Sequence, residues 1–368
     1  MSEIVISTDL GNGGDSTVSN VGKYKFDNPL SFEPIMAPRT HARDVSEKQS
    51  HPTLTLLKGD QVMVFGADDV FKFGNRKLRR RAANEQRYGS SDYYDLLAVS
   101  LLQVLHNYRG KETVSPRIII SMPIDQFNKE HMVKEIKAGV ANMKHIVGED
   151  GCVLNLSIDP KQVLVVPESL GTAIYYAYQK NLNPQKGTSL SGVTMVADIG
   201  LLTCNISRFE NGAYVPESSL TVGRGGFNTV VYAIINWLKE SGYTNPDFTL
   251  IDVGLRSVCD KPFGSPKVID IGGGNRVDVQ PAYDPAIQQL TMAINDALGN
   301  AAPDTVNRVL ITGGTSYHIG RYLKEYVDVY SNGILVKNPA IANVCGAYLF
   351  YWQMLARKSI FQSDGDDE

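Results

Sequence analysis

Cysteine is scarce in this chain: Cys152, Cys204, Cys259 and Cys345 lie far apart among 368 residues. They show neither the paired spacing of a zinc site nor the density of a disulfide framework, and read as small apolar core residues in a reducing compartment. No apolar run approaches the ~18 residues that span a bilayer, and the acidic start from Met1 to Asp9 lacks the basic segment and apolar run of a secretory signal. A cytoplasmic protein with no membrane contact is expected. An excess of charge of one sign is also missing, with 36 Lys and Arg against 39 Asp and Glu and a net charge of −3. That balance argues against a surface that wraps nucleic acid, so no direct nucleic-acid contact is expected. What is present, 43% hydrophobic and 20% charged residues, is the balance of a folded globular protein. The length is about twice that of one ordinary domain, so two domains are the starting expectation. The polar, acidic end from Gln362 to Glu368 reads as a frayed tail.

Short β-branched runs recur, each followed by a turn and several by helix-period segments, which is the pattern of α/β layers with buried strands. The expected strands are Glu3–Thr8, Arg117–Ser121, Val163–Val166, Val193–Ala197 and Val309–Thr312. Tyr94, Leu97, Ala98, Leu101, Leu102 and Leu105 fall on one helical face, as do Val230, Ile234, Trp237 and Leu238, and these stripes are core. A C-terminal stripe of Cys345, Tyr348, Leu349, Trp352 and Ala356 predicts a helix docked on the body of the protein. Between Thr40 and Asp92 the pattern loosens around two alternating runs, Leu54–Leu57 and Val62–Phe65, and reads as an inserted subdomain. Its basic run Arg76-Lys77-Leu78-Arg79-Arg80-Arg81 reads first as a solvated helix face or loop, with a partner or nucleic-acid contact as the sharper alternative.

A weak internal repeat carries more information than any single element. Asp9-Leu10-Gly11-Asn12-Gly13-Gly14 closes the first strand, and Asp198-Ile199-Gly200-Leu201-Leu202-Thr203 closes another roughly half a chain later. A strand ending in Asp before a glycine-bearing turn offers backbone N–H groups to phosphate oxygens and a carboxylate to a metal. Each such turn alone is also explained by steric need for glycine. Between them, Val165-Val166-Pro167-Glu168-Ser169-Leu170-Gly171 puts an acid at a helix start. Glu168 either complements the helix dipole or orients a water attacking a γ-phosphate. Val309-Leu310-Ile311-Thr312-Gly313-Gly314-Thr315-Ser316 runs a strand into a glycine pair that can lie flat against adenosine, or is a plain tight turn. Gly223-Arg224-Gly225-Gly226-Phe227 precedes a helix and could approach ribose or phosphate, with Arg224 as a charge partner. In Ala342-Asn343-Val344-Cys345-Gly346-Ala347 small residues permit close helix approach, and packing explains them.

In this order the pieces resemble the actin-like ATPase superfamily, and within it the ParM-type plasmid-segregation actins and their archaeal relatives, over nearly the whole chain. The resemblance implies an α/β actin-like fold: two duplicated α/β domains flanking a nucleotide cleft, each with a smaller outer subdomain. Domain I would span 1–165 plus 336–368 with its outer part near 40–92, and domain II 166–335 with its outer part near 238–285. By similarity Asp9 and Gly11, Asn12, Gly13, Gly14, Asp15 and Ser16 match the first phosphate loop. Asp198, Gly200, Leu201 and Thr203 match the second, and Glu168 matches the water-polarising acid. Gly313, Gly314, Thr315 and Tyr317 fall at the adenosine loop, with Gly223, Arg224 and Gly225 as further nucleotide contacts; Asn343 and Gly346 match the second connecting helix. Asp9 and Asp198 would meet Mg2+ through water, and Glu168 and Asp198 would be the catalytic pair. Three departures stand out. Ser16 replaces a lysine, Leu201-Leu202 stands where Gly-Thr is frequent, and Asn205 replaces an acid, so slow hydrolysis is implied. Asp270-Ile271-Gly272-Gly273-Gly274 is a competing match to the second loop and is placed instead in the outer part of the second half.

What the resemblance implies is a filament that assembles on ATP, with GTP as the other candidate nucleotide. Hydrolysis would make it dynamic, and the partners would be other copies of itself and a DNA-binding adaptor of a plasmid partition system. The alternatives are a small-molecule kinase of the same superfamily, a chaperone-like ATPase, and a non-polymerising nucleotide-binding protein. No acceptor pocket with its own base is evident for a kinase, and no long C-terminal substrate domain for a chaperone.

Overall fold

The computed structural model describes residues 3–39, 54–74, 79–81, 87–178, 190–258, 268–272, 274–302 and 305–363. The expected tail beyond 363, much of the 40–92 insertion, residues 76–78 of the basic run, Cys259 and Gly273 lie outside them. The chain divides into two compact units, Met1–Thr188 with Asn343–Glu368, and Ser189–Ala342.

The first unit is built on a five-stranded sheet in the order Val163–Pro167, Arg117–Met122, Val5–Leu10, Asp15–Ser19, Leu30–Phe32. The first three strands are parallel, and the last three form an antiparallel meander. Alternation along Val5–Leu10 sends Ile6 and Leu10 to one face, where Leu96, Leu97 and Leu101 of helix Ser91–Val104 cover them. Val5 goes to the other face, with Ile119, Val166 and the Ala347 and Tyr351 side of helix Ala342–Ser363. Both faces are thus buried, as parallel strands require. Helix Ser91–Val104 starts at Ser90, whose hydroxyl accepts from Tyr93 N–H at 3.2 Å and satisfies one of the free donors of the first turn.

The second unit repeats the plan. Its sheet runs Ala213–Val222, Cys204–Glu210, Val193–Ile199, Arg308–Thr312, Gly333–Leu335, again an antiparallel meander joined to three parallel strands through a shared member. Buried Val230, Ile234 and Leu238 of helix Asn228–Glu240 confirm the expected stripe, with Trp237 only half-buried at its margin. Leu290, Ile294 and Leu298 of helix Gln280–Ala301 and Ile319 and Leu323 of helix Ser316–Val327 complete the core.

The expected boundaries at 165/166 and 335/336 differ from these units, for a packing reason. Helix Glu168–Tyr178 crosses helix Ala342–Ser363 so closely that a Cβ on Gly171 would collide with the Asn343 carbonyl, and one on Gly346 with the Gly171 carbonyl. Thr172 Oγ1 donates to Asn343 Oδ1 at 2.7 Å across the same crossing. Residues 336–342 belong with the second unit because Val336 N–H reaches the Ile311 carbonyl at 3.0 Å and Thr312 Oγ1 the Pro339 carbonyl at 3.3 Å.

In the 40–92 segment the two expected alternating runs are strands Leu54–Lys58 and Gln61–Phe65. They lie in a four-stranded antiparallel sheet with Ile35–Pro38 and Arg80–Arg81. Arg80 and Arg81 are therefore strand residues rather than a helix face or loop, and the Arg79 guanidinium lies over the Phe71 ring at 5.0 Å. The 238–285 segment contributes helix Phe248–Val258 and a small hairpin, Val268–Asp270 with Arg276–Asp278. No helix among the described residues is long and apolar enough to cross a membrane.

Candidate functional site

Both Asp-x-Gly segments are the tips of β-hairpins. Asp9 lies one residue from the end of Val5–Leu10, and the chain returns as Asp15–Ser19; Asp198 holds the same position in Val193–Ile199, returning as Cys204–Glu210. The two turns share one hydrogen bond: Gly11 N–H donates to the Gly14 carbonyl at 3.1 Å, and Gly200 N–H to the Thr203 carbonyl at 2.9 Å. At Gly11 a Cβ would stand 2.7 Å from the Gly14 oxygen, so the narrow turn requires glycine. The register pairs Asp9 with Ser16 and Asp198 with Asn205. Two of the three departures noted in sequence, Ser16 and Asn205, thus occupy equivalent places, each beside its aspartate. Asn205 Oδ1 accepts from Thr221 Oγ1 at 2.9 Å, and Ser16 Oγ lies 3.4 Å from Ser31 Oγ.

In the second unit three glycine-bearing segments distant in sequence converge. Phe227 N–H donates to the Gly200 carbonyl at 3.1 Å and Asn228 N–H to the Leu201 carbonyl at 2.7 Å, so helix Asn228–Glu240 starts on the turn. Gly226 fits there because a Cβ would lie 2.5 Å from the Leu201 oxygen. Thr315 closes the other side, its N–H on the Ile199 carbonyl at 3.1 Å and its hydroxyl on the Gly200 carbonyl at 3.0 Å. Gly313 has φ of +86°, and a Cβ would stand 2.5 Å from Asp198 Oδ1 and 2.6 Å from Ile199 N. The Gly313–Gly314 turn therefore lies directly against Asp198. Exposed Arg224 holds a left-handed φ of +61°, a strained conformation for a residue with a side chain and one that clusters at ligand sites.

Some candidates are placed where only their backbone is available. The Leu201 side chain is buried, so a ligand could meet its main chain alone; Asp15 and Ser16 sit buried in the returning strand rather than in the turn. Gly11, Asn12 and Gly13 are half-buried and Gly14 is exposed. Half-buried Tyr317 lies in the first turn of helix Ser316–Val327. The competing Asp270 caps its own hairpin by accepting from Gly272 N–H at 2.8 Å.

Glu168 opens helix Glu168–Tyr178 and is 9% exposed. Tyr88 Oη donates to its Oε1 at 3.2 Å. Burial and the neighbouring Glu168 carboxylate hold the Tyr88 hydroxyl well above its usual pKa, so it stays a protonated donor.

Sequence reasoning did not find Tyr88, nor Arg87 beside it, whose Nη1 donates to the Gly11 carbonyl at 2.9 Å. It also missed Arg256, paired with fully buried Asp252 at 2.9 Å, its Nη1 3.4 Å from where a Gly314 Cβ would be. Buried His318 was missed too, although it follows Tyr317. It stacks on Phe227 at 4.3 Å and bonds Tyr283 Oη through Nδ1 at 2.7 Å. Burial first, then the Arg256 charge, depresses its pKa to about 3, so it is neutral. Apart from the Arg256–Asp252 pair, four residues apart on one helix, these contacts join residues tens of positions apart and leave no local signal.

The described residues contain no cluster of His, Cys, Asp and Glu able to hold a metal by itself. Magnesium needs none, because it keeps several waters and takes one or two carboxylates together with phosphate oxygens. Asp9 in the first unit and Asp198 in the second each offer a hard carboxylate beside a glycine-bearing turn, the donor chemistry that magnesium takes.

No protein-family model matches the chain, and no curated protein matches it in sequence. Solved structures do. The chain is similar to an archaeal actin homolog, with 20% identity and a TM-score of 0.69 over 95% of this chain and 99% of that one. The homolog has also been solved in complex with ADP. A 15-stranded ParM filament from Clostridium botulinum matches with 15% identity and a TM-score of 0.74, covering 96% of this chain and 100% of that one. Bacillus thuringiensis ParM with AMPPNP matches with 15% identity and a TM-score of 0.59, covering 97% and 100%. The chain has the actin-like fold.

Proposed function

We propose that this chain is a nucleotide-driven, filament-forming actin-like protein. Mg2+–ATP, or GTP in its place, binds at the two hairpin turns, assembly follows binding, and hydrolysis makes the filament dynamic. The observation that carries the reading is the duplicated hairpin tip. Each unit presents an aspartate at a hairpin tip and a Gly N–H bonded to the carbonyl three residues on, which closes a narrow glycine-bearing turn. Such turns hold phosphate oxygens without a dedicated cationic side chain. In the second unit Gly313 and Gly314 receive the nucleoside, with Gly223, Arg224, Gly225 and Tyr317 as further contacts. The ADP and AMPPNP complexes of similar folds and the ParM filament support this reading by analogy of fold.

Glu168 is assigned as the acid that orients the attacking water, held by Tyr88, and Asp9 and Asp198 as carboxylates that meet magnesium through water. Magnesium, when bound, neutralises the β- and γ-phosphate charge; the protein's own part is to fix the phosphates by backbone N–H groups and the water by Glu168. The cargo proposed is plasmid DNA, engaged through a separate DNA-binding adaptor, with the protein acting in the cytoplasm. Sedimentation tests the filament reading. Protein that pellets with Mg–ATP above a threshold concentration supports it. Flat pelleting and light scattering at every concentration, with ATP and with GTP, would leave a kinase or a non-polymerising nucleotide-binding protein.

A further inference from the structure

The first phosphate turn is tied from below to a buried charged group. Asp15 is fully buried and neither carboxylate oxygen makes a hydrogen bond; Arg87 Nη1 lies 4.0 Å from Oδ1. Arg87, 1% exposed, uses that same nitrogen to donate to the Gly11 carbonyl. Its guanidinium lies 5.2 Å from the centre of the Tyr88 ring, which rests on Tyr93 at 5.0 Å, while the Tyr88 hydroxyl reaches Glu168. Two consecutive residues therefore touch both the carbonyl that shapes the turn and the acid assigned to orient water.

A guanidinium taken out of water is costly unless its geometry uses it. A purely structural pair with Asp15 would form the bidentate fork that Arg and carboxylate prefer. Here the pair stays at 4.0 Å, and the same nitrogen reaches the turn carbonyl at 2.9 Å. Two carboxylates stand near this turn, Asp9 and Asp15, and both would oppose an incoming phosphate. A fixed positive charge beneath the turn offsets that repulsion without moving when an anion arrives.

We propose that Arg87 and Tyr88 form one positioning unit: Arg87 braces the Gly11–Gly14 turn and offsets the charges of Asp9 and Asp15, and Tyr88 fixes Glu168, so the seating of the phosphates sets the placement of the water-orienting acid. This rests on the nucleotide reading above.

Tyr88→Phe removes one hydroxyl and keeps the ring on Tyr93. Phosphate release from Mg–ATP should show kcat down about 10-fold, the scale of one lost hydrogen bond, with KM within about twofold. Tyr88→Phe combined with Glu168→Gln should be no slower than Glu168→Gln alone, since both act through one group. Arg87 is tested with Asp15→Asn/Arg87→Met, which removes both charges and leaves neither unpaired. Displacement of a fluorescent nucleotide by Mg–ATP should report affinity about 10-fold weaker, with cooperative unfolding retained. If that pair does not fold, Arg87→Lys, which keeps the charge but not the planar guanidinium that reaches the Gly11 carbonyl, should weaken affinity by at least about threefold. Wild-type kcat in Tyr88→Phe, or wild-type affinity in the Arg87 variant that folds, overturns the inference while the nucleotide reading stands. Wild-type protein that binds neither ATP nor GTP overturns both.

Discussion

Replacing Glu168 by Gln and by Ala separates its chemistry from its packing. The buried Tyr88 hydroxyl donates to Glu168 at 3.2 Å. In Glu168→Ala that donor loses its acceptor, which costs about 1–3 kcal/mol, and the first-turn acid goes too, for about 0.3–1 kcal/mol more. At about 2–4 °C per kcal/mol for a domain of this size, the melting midpoint should drop by several degrees. Gln keeps a carbonyl oxygen for Tyr88, so Glu168→Gln should lose only the dipole contribution, about 1 kcal/mol or less. Turnover should not follow stability: both variants should release phosphate about 10²-fold more slowly, the low end for acid–base assistance, with nucleotide affinity barely changed. Filaments of either variant should form with ATP and persist. Differential scanning fluorimetry and a phosphate-release assay, run on the same preparations, read both quantities. Glu168→Gln with wild-type turnover and wild-type filament lifetime would refute the catalytic assignment and leave Glu168 as a helix-start acid.

Gly313→Ala should destabilise the second unit by at least about 1–2 kcal/mol through its left-handed φ alone, and weaken nucleotide binding because its methyl would press on Asp198; thermal melts and nucleotide titration check this. His318 titrates near 6.5 when unfolded and near 3 when folded, so the folded state binds fewer protons and stability is lost as pH falls below about 6.5. The loss should be about 1.4 kcal/mol per pH unit between pH 6.5 and 5, seen in urea melts, and His318→Gln should flatten it. Asp198→Ala should weaken metal-dependent nucleotide binding or turnover with the fold intact, whereas Asp270→Ala should leave both unchanged; the reverse result, in a titration with and without magnesium and a phosphate-release assay, would move the second phosphate site to the Asp270 hairpin.

Much of the fold was legible because the parallel strands carry dense runs of Val, Ile and Leu. The runs around Val5, Arg117, Val163, Val193 and Val309 each became a strand within two residues of the expected ends. Periodicity does not see the returning hairpin strands. Asp15–Ser19 is polar in four of its five residues yet fully buried, and Ala213–Val222 is half-buried or exposed along its length. The hairpin nature of both Asp-x-Gly turns, and hence the equivalence of Ser16 and Asn205, came only from the register. Gly171, Gly226 and Gly313 looked alike in sequence; what each one's missing side chain makes room for is a helix, a turn carbonyl and an aspartate respectively. Arg87 and Tyr88 carried no motif at all, and reach the candidate site only through contacts 76 and 80 residues away.

The central claim is that nucleotide turnover and polymerisation are one process, and phosphate release measured against total protein concentration tests it most directly. Below the concentration at which light scattering begins, release from Mg–ATP should be close to background, and above it release should rise in proportion to assembled protein, so both curves break at the same point. Release that rises in proportion to concentration from the origin, with no break and no scattering, would contradict the account and describe a solitary ATPase or a kinase instead.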